Sequence, residues 1–278
     1  GTGARITIGN GATSVQVGAD TSNFALIGTN QNQPFYFFTN GTERLRIDSS
    51  GRLLVGMSSS VWDSLVEVAR VGGSQFAGHR YGANTFPPEF NFLKSRGASV
   101  GTNTIVSDGD VIGQIGFRGA DGSSYIAGAT ISAAVDGTPG ANDMPGRLVL
   151  STTLDGASSP TEALRITNDR VIAYNQGAPA AVNATATLTV ANLKIGIITS
   201  TSAAATDMTL PTGTDTQAGF SGTYDNFTFE WSVINTGPSL VRVLAGTAHT
   251  IVGSGSVATG TSGRFASRRT AANTFVTY

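Results

Sequence analysis

The stretch Phe227-Thr228-Phe229-Glu230-Trp231-Ser232-Val233 alternates large apolar residues with polar ones. A period of two places the apolar side chains on one face of a β-strand, whereas an amphipathic helix needs a period near 3.6. The same alternation recurs in Leu45-Arg46-Ile47 and Glu89-Phe90-Asn91-Phe92, and Gly or Asp-Gly turns separate such runs. The best helical stretch, Val61 to Arg70, reads equally well as a strand. The sequence therefore predicts an all-β protein in which the apolar residues of the first stretch form a core.

Composition excludes several classes of protein. The chain has 278 residues, a formal net charge of −1, 13% charged and 40% hydrophobic residues, and no cysteine. Disorder is excluded because it combines low hydrophobicity with high net charge, and disulfides and thiolate metal sites are excluded outright. Lys94 and Lys194 are the only lysines, so the basic face that nucleic acid requires is missing. No apolar run reaches the length of a membrane span, so we expect no membrane insertion.

A short repeat fills the first 56 residues. Ile6–Gly9, Val15–Gly18 and Ala25–Gly28 each place a glycine after a short apolar strand, and Leu53–Gly56 is a weaker copy. Each unit has too few apolar side chains to bury a core alone, so the units must stack. Stacking within one chain would give a β-solenoid, and wrapping three chains would give a β-prism. We favour the prism, because a single chain would leave exposed edges.

A second repeat indicates how the chain is divided. Thr42–Leu53 is echoed by Thr161–Val171, and both stretches predict a strand, a polar turn and a returning strand. Residues 175–181 are poor in bulky side chains, which is typical of a linker. We therefore predict an intertwined β-prism-like stem over 1–56, a central β module over 57–176 and a C-terminal β-sandwich head over 177–278. The chain begins without an initiator methionine, so we expect a fragment.

Several motifs resemble one family. Glu43-Arg44-Leu45-Arg46-Ile47-Asp48-Ser49-Ser50-Gly51 resembles the "ERMRIDSSG" signature of tailed-bacteriophage tail fibres. Further stretches look like modules or ends of the same proteins: Lys94–Gly97, Gly109–Gly113, Phe117–Gly122, Ala134–Leu148, Trp231–Gly237 and Thr270–Phe275. The resemblance implies a homotrimeric, extracellular virion fibre that meets the host cell and joins other virion proteins at its N-terminal end. It leaves open whether the fibre sits on the tail or the capsid.

The sequence offers little support for catalysis. It has no phosphate-binding Gly-x-x-x-x-Gly-Lys loop. The two histidines, His79 and His249, fall in different modules, and we expect each on a strand surface. Asp108 and Asp110 are close in sequence, but an Asp-Gly turn explains the pair. We therefore expect no catalytic residue, no metal and no cofactor, and keep a polysaccharide depolymerase with an inter-subunit site as an alternative.

Binding is the favoured function. The side chains that could contact a receptor carry aromatic, carboxyl, amide, imidazole or guanidinium groups and lie in the predicted head. They are Tyr224, Asp225, Asn226, His249, Arg264, Arg268 and Arg269. The arginine forks could hold carboxylate or phosphate groups of a surface glycan, and pairing with Asp or Glu of another subunit is an equal alternative. The resulting hypothesis is non-catalytic trimeric attachment to a host glycan or protein receptor; a structural or decoration fibre that contacts another virion protein is the alternative.

Overall fold

A computed structural model describes residues 5–9, 14–19, 25–29, 31–72 and 76–278. These residues are nearly all β, as the sequence predicts, with 22 strands and two short helices. None of their helices has the length and apolar character needed to cross a membrane. The chain divides into two compact units, Gly1–Asn91 and Phe92–Tyr278. The finer division at residues 56 and 176 remains a prediction.

The short repeat forms the first sheet. Its three antiparallel strands are β1 (Arg5–Gly9), β2 (Ser14–Ala19) and β3 (Ala25–Thr29), with β2 in the middle. Ile6 pairs with Val17, and Val17 pairs with Ile27, so these apolar residues form one row across the sheet. All three side chains are between 43% and 66% exposed in the single chain. The residues between these strands lie outside the described part.

The next two sheets contain the longer repeat. In the first unit the strands are β4 (Phe35–Thr39), β5 (Thr42–Ile47), β6 (Leu53–Val55) and β7 (Val66–Val68), paired in that order. In the second unit they are β8 (Val111–Ala120), β9 (Tyr125–Val135), β10 (Gly146–Thr152), β11 (Thr161–Ile166) and β12 (Ile172–Tyr174). Neighbouring strands of both sheets are antiparallel except β6 and β7, which are parallel.

Strands β4 to β6 and β10 to β12 are two copies of one structure. Leu45 pairs with Val55, and Leu164 pairs with Tyr174, which keeps a constant offset of 119 residues between the copies. The predicted strand, turn and returning strand are therefore confirmed in both. In each copy the first pairing also shifts register at the same place, between Phe37 and Phe38 and between Leu150 and Ser151. The bulge residues, Arg44 and Ala163, are the extra residues opposite these shifts.

This bulge explains the spacing of the Glu-x-Leu-Arg motif. In a regular strand Glu43 and Arg46, three residues apart, would point to opposite faces. One extra residue between them reverses the alternation, so both side chains share a face and form an ion pair. Arg165 Nε and Nη2 donate to the Glu162 carboxylate oxygens at 2.6 and 2.7 Å in the second copy. In both copies this hydrogen bonding lowers the pKa of the glutamate.

Each of these two sheets has one apolar face. In the first, two rows of paired residues cross the four strands: Phe35, Ile47, Leu53 and Val66, and Phe37, Leu45, Val55 and Val68. In the second, the equivalent rows are Ala133, Leu148, Ile166 and Ile172, and Ile115, Ile131, Leu150, Leu164 and Tyr174. Phe37 is 53% exposed and Tyr174 72% exposed. Both apolar faces are thus partly open to solvent in the single chain.

The C-terminal part consists of two sheets and two helices. The larger sheet has the order β13 (Ala180–Ala181), β15 (Ile197–Ser200), β17 (Thr228–Asn235), β21 (Thr261–Ala271), β22 (Thr274–Thr277) and β19 (His249–Ile251). The smaller sheet has the order β14 (Ala186–Thr187), β16 (Thr206–Thr209), β18 (Val241–Leu244) and β20 (Ser256–Val257). Helix α1 spans Val190–Ile195, and α2 spans Gly213–Gly219.

One hydrophobic core lies between these two sheets. Trp231 and Phe265 come from the larger sheet, Met208 and Val243 come from the smaller one, and all four are buried. The Trp231 indole N–H donates to Ser267 Oγ at 3.0 Å, which satisfies the one polar atom of the largest buried side chain. The predicted alternation is confirmed, because Phe229, Trp231 and Val233 of β17 face this core.

Several strands of this C-terminal part pair in parallel. Strands β13, β15 and β17 pair in parallel, and so do β14, β16 and β18, so the chain winds through both sheets three times. Helix α1 connects β14 to β15, and helix α2 connects β16 to β17. The sequence did not predict either helix. Each has six or seven residues, which is too short for helical periodicity to stand out. A signal was present for α1: Thr189 and Asn192 form a capping box.

Candidate functional site

The turn 224–226 and the end of strand β21 contain five of the proposed binding residues. The Asn226 N–H donates to Arg269 O, and the Arg269 N–H donates to Phe227 O, both at 2.9 Å. The Arg269 guanidinium forms an ion pair with Asp225 and donates from Nε to Gln217 Oε1 at 2.8 Å. The Arg269 side chain is only 12% exposed. Arg269 therefore anchors the turn rather than extending into solvent.

Arg268 is held differently, by neutral partners. Its Nη1 donates to Asn226 Oδ1 at 2.8 Å, and its Nη2 donates to Tyr278 Oη at 2.7 Å. Its guanidinium carbon also lies 5.7 Å from the centre of the Tyr278 ring. Within the described part of the chain Arg268 forms no salt bridge, so its positive charge is fixed in place without a carboxylate. An oriented arginine fork of this kind suits a carboxylate or phosphate ligand.

Arg264 lies on the same outer face, four residues along the strand. Four residues of a strand span about 13 Å, so Arg264 and Arg268 are not immediate neighbours. Arg264 pairs with Glu230 on the adjacent strand, and hydrogen bonding to that carboxylate raises the pKa of the guanidinium. Both side chains of this pair are more than half exposed. The pairing with acidic residues that the sequence left open thus occurs within the chain for Arg264 and Arg269.

Tyr224 is an exposed aromatic residue at the start of the turn 224–226. Its side chain is 67% exposed, and its ring makes an edge contact with Phe227 at 6.0 Å between centres. Phe220 stacks on Phe229 at 4.2 Å and completes an aromatic cluster behind the turn. Asn226 has a φ of 72°, a left-handed conformation that asparagine tolerates better than most residues. We define the exposed surface of Tyr224, Asn226, Arg268 and Tyr278 as the Arg268 surface.

His249 is not part of that surface. It is 6% exposed, and its Nδ1 lies 2.9 Å from Pro211 O, while its ring packs against Phe275. Burial lowers the pKa of its imidazole. The expectation of a surface histidine is therefore wrong here, because the side chain of His249 is buried against Pro211 and Phe275. His79, in the other unit, stacks on Tyr81.

Asp108 and Asp110, the neighbouring carboxylates that glycoside hydrolysis could use, hold the local fold together. Asp110 accepts two hydrogen bonds from Arg96, at 2.6 and 2.7 Å, and these lower its pKa, while Asp108 Oδ1 accepts from the Gly137 N–H at 2.9 Å. A glycosidase needs a carboxylic acid with a raised pKa, and each carboxyl group with a resolved shift in the described residues has a lowered one. These residues also hold no group of three or more potential metal ligands.

Two of the solved structures that this chain resembles come from one bacteriophage tail fibre. The carboxy-terminal domain of the bacteriophage T5 L-shaped tail fibre has a TM-score of 0.42 and 13% identity over 64% of this chain and 81% of its own. The same domain with its intramolecular chaperone domain has a TM-score of 0.39 and 12% identity. The match spans 64% of this chain and 56% of that longer one. No family model matches the chain, and no curated protein does. Both TM-scores are below 0.5, so the function is argued from the residues of this chain.

Proposed function

We propose that this chain belongs to a tailed-bacteriophage tail fibre, an extracellular virion protein that assembles as a trimer and attaches to a host surface without catalysis. The resemblance of residues 43–51 to the tail-fibre signature supports the family. The observation that carries the proposal is the pair of apolar sheet faces in the two copies of the longer repeat, which stay partly exposed in the single chain.

Covering these faces requires other copies of the chain. Burial of apolar surface stabilises a protein by about 25 cal/mol per Å², and contiguous exposed patches of this kind mark interaction surfaces. Phe37, Ile47 and Val66 of the first face are each 46% to 54% exposed. A face that belongs to a repeated unit would meet the same face of a neighbouring chain around a threefold axis. This arrangement would also explain the exposed row of Ile6, Val17 and Ile27.

Attachment is assigned to the Arg268 surface. It combines a fixed positive charge, an exposed aromatic ring and amide oxygens, which together suit an anionic glycan or an acidic patch of a protein receptor. Three copies of the surface on one trimer would bind with avidity, because the first contact raises the effective concentration of the other two. Weak individual contacts would then suffice.

Assembly is tested by light scattering after size exclusion. The wild-type chain should have three times its 28.4 kDa mass. Leu164→Glu places a charge on the apolar face and should give a single-chain mass. Ala163→Glu is the matched control, because the neighbouring bulge residue is exposed, and it should leave the trimer intact. A folded wild-type monomer would overturn the proposal.

Attachment is tested with fluorescently labelled trimer on a panel of bacterial cells. Arg268→Ala should abolish retention on cells that the wild-type protein labels. Arg242→Ala, which removes an arginine paired with Asp207 on the smaller sheet, should not. Equal retention of both variants would refute this assignment. Release of new reducing ends from host polysaccharide would support the depolymerase alternative instead.

A further inference from the structure

A groove lies on the first copy of the longer repeat, opposite its apolar face. It has a volume of about 450 Å³ and is lined by Tyr36, Phe38, Gly41, Glu43 and Arg46. The rings of Tyr36 and Phe38 are 6.4 Å apart and tilted by 54°. Tyr36 is 50% exposed and Phe38 is 66% exposed. Grooves of this volume hold small ligands of a few rings at most.

The second copy of the repeat lacks this groove lining. Tyr36 pairs with Arg46, and the equivalent partner of Arg165 is Val149. Phe38 pairs with Glu43, and the equivalent partner of Glu162 is Ser151. Both copies keep the bulge and the glutamate–arginine ion pair. The two aromatic rings are therefore required neither for the strand pairing nor for the ion pair.

The face that carries the groove is the one that the chain itself partly covers. Tyr36, Arg46, Leu54 and Glu67 are register partners across the four strands, and so share this face. The loop 60–64 closes over the far end of the row by donating backbone and side-chain hydrogen bonds to Glu67, and Leu54 is fully buried. The apolar rows lie on the other face. In the proposed trimer the groove would therefore remain open to solvent.

The chemistry of the lining is that of a neutral sugar site. Aromatic rings pack against the C–H surface of a sugar. The carboxylate and guanidinium groups of an ion pair also have hydrogen-bond acceptors and donors that the ion pair does not use, and these can bind adjacent hydroxyl groups. Arg46 and Glu43 compensate each other's charge, so the groove has no net charge to attract an ion. We propose that this groove binds a neutral saccharide of one or two rings, at a site separate from the Arg268 surface.

The proposal is tested by saturation-transfer NMR with maltose, lactose and chitobiose. At least one of these disaccharides should receive saturation from the wild-type protein. Tyr36→Val combined with Phe38→Ser installs the residues of the second copy, so it should fold, and it should weaken binding about tenfold or more. Tyr81→Val, which removes an exposed ring that does not line the groove, should bind as the wild type does. Equal transfer from the double variant to the disaccharide would overturn the proposal.

A second variant separates sugar binding from assembly. Arg46→Lys keeps the charge but loses the fork, so saturation transfer should fall while the mass and the far-ultraviolet circular dichroism stay unchanged. If the variant with Tyr36→Val and Phe38→Ser had the mass of a single chain, the groove would be part of the interface between copies, and the proposal would be refuted. Absence of transfer from the wild-type trimer to any of the three disaccharides would refute it as well. Cell attachment through the Arg268 surface would stand in either case.

Discussion

Arg170 adopts the left-handed backbone conformation that Gly51 adopts at the equivalent turn of the first repeat. Their φ angles are 64° and 80°. The Gly51 N–H donates to Asp48 O and the Arg170 N–H donates to Thr167 O, both at 2.9 Å. The two turns are thus the same, although one has a side chain at a position where a Cβ costs about 1–2 kcal/mol.

Replacing Arg170 should therefore stabilise the second turn. Arg170→Gly removes the steric cost and loses part of the gain to the greater freedom of glycine in the unfolded chain, for a net gain of about 0.5–1 kcal/mol. Gly51→Ala is the reciprocal change and should lower stability by about 1 kcal/mol. Thermal denaturation of both variants checks this. A lower melting temperature for Arg170→Gly would contradict it.

Glu67 should make stability depend on acid pH. Hydrogen bonds from the Ser60 hydroxyl and from the backbone N–H groups of Val61 and Ser64 lower the pKa of this carboxyl group from 4.5 to about 2. A carboxyl group whose pKa is lower in the folded chain than in the unfolded chain stabilises the fold at pH values above its unfolded-state pKa. This stabilisation is lost as the pH falls through its folded-state pKa.

The measurement is denaturant unfolding of the wild type and Glu67→Gln between pH 2 and pH 7. The wild type should be the more stable above about pH 4.5, and the difference should shrink as the pH falls towards 2. Ser262→Ala, at an exposed position of β21, is the control, and its difference in stability from the wild type should not change with pH because it alters no ionisable group. A difference for Glu67→Gln that is constant with pH would exclude this role.

Ser267 should be necessary for the C-terminal core. Its hydroxyl accepts from the Trp231 indole at 3.0 Å and lies 2.8 Å from the Thr277 hydroxyl, and Ser267 and Thr277 are fully buried. Ser267→Ala leaves both partners buried without a hydrogen bond, at a cost of about 1–3 kcal/mol. Ser262→Ala, on the exposed part of the same strand, should change stability by less than about 0.5 kcal/mol. Equal melting temperatures would show that the partners find other hydrogen bonds.

A substitution of Asn226 should change binding without changing the fold of the turn. Asn226→Asp keeps the left-handed φ of 72° accessible and places a carboxylate beside Arg268. The guanidinium would then be neutralised by its own chain, so cell retention should fall while the melting temperature stays within about 1 °C of the wild type. Undiminished retention would show that the charge of Arg268 is not used in attachment.

The position of the Glu–Arg pairs shows where reasoning from sequence failed. The sequence predicted the paired strands around Gly51 and Arg170, because alternation and turn residues are local signals. It could not place Glu43 and Arg46 on one face, because strict alternation puts residues three apart on opposite faces. Only the pairing with β4, which fixes the bulge, reverses this. The signal was the identical spacing in Glu162 and Arg165.

Three of the four residues of the Arg268 surface were proposed from the sequence, and their binding role stays a prediction. Tyr224 and Asn226 were proposed because they lie in a polar loop where a tyrosine suits a half-wet contact, and Arg268 because its guanidinium fork suits an anionic group. Tyr278 was missed, since its contact with Arg268 exists only when the last strand pairs with β21. His249 was misplaced for the converse reason: its exposure depends on which side of a short strand faces the other sheet.

The all-β class, the two repeats and the core strand at Trp231 can be predicted from the sequence, since each depends on residues that are neighbours along the chain. The parallel pairing of β13, β15 and β17 is seen only in the tertiary structure. The same is true of the ion pairs that neutralise Arg264 and Arg269, and of the absence of such a pair for Arg268 in the described residues. Such pairings join residues tens of positions apart. Their outcome depends on which strands meet, and no local pattern of side chains specifies that.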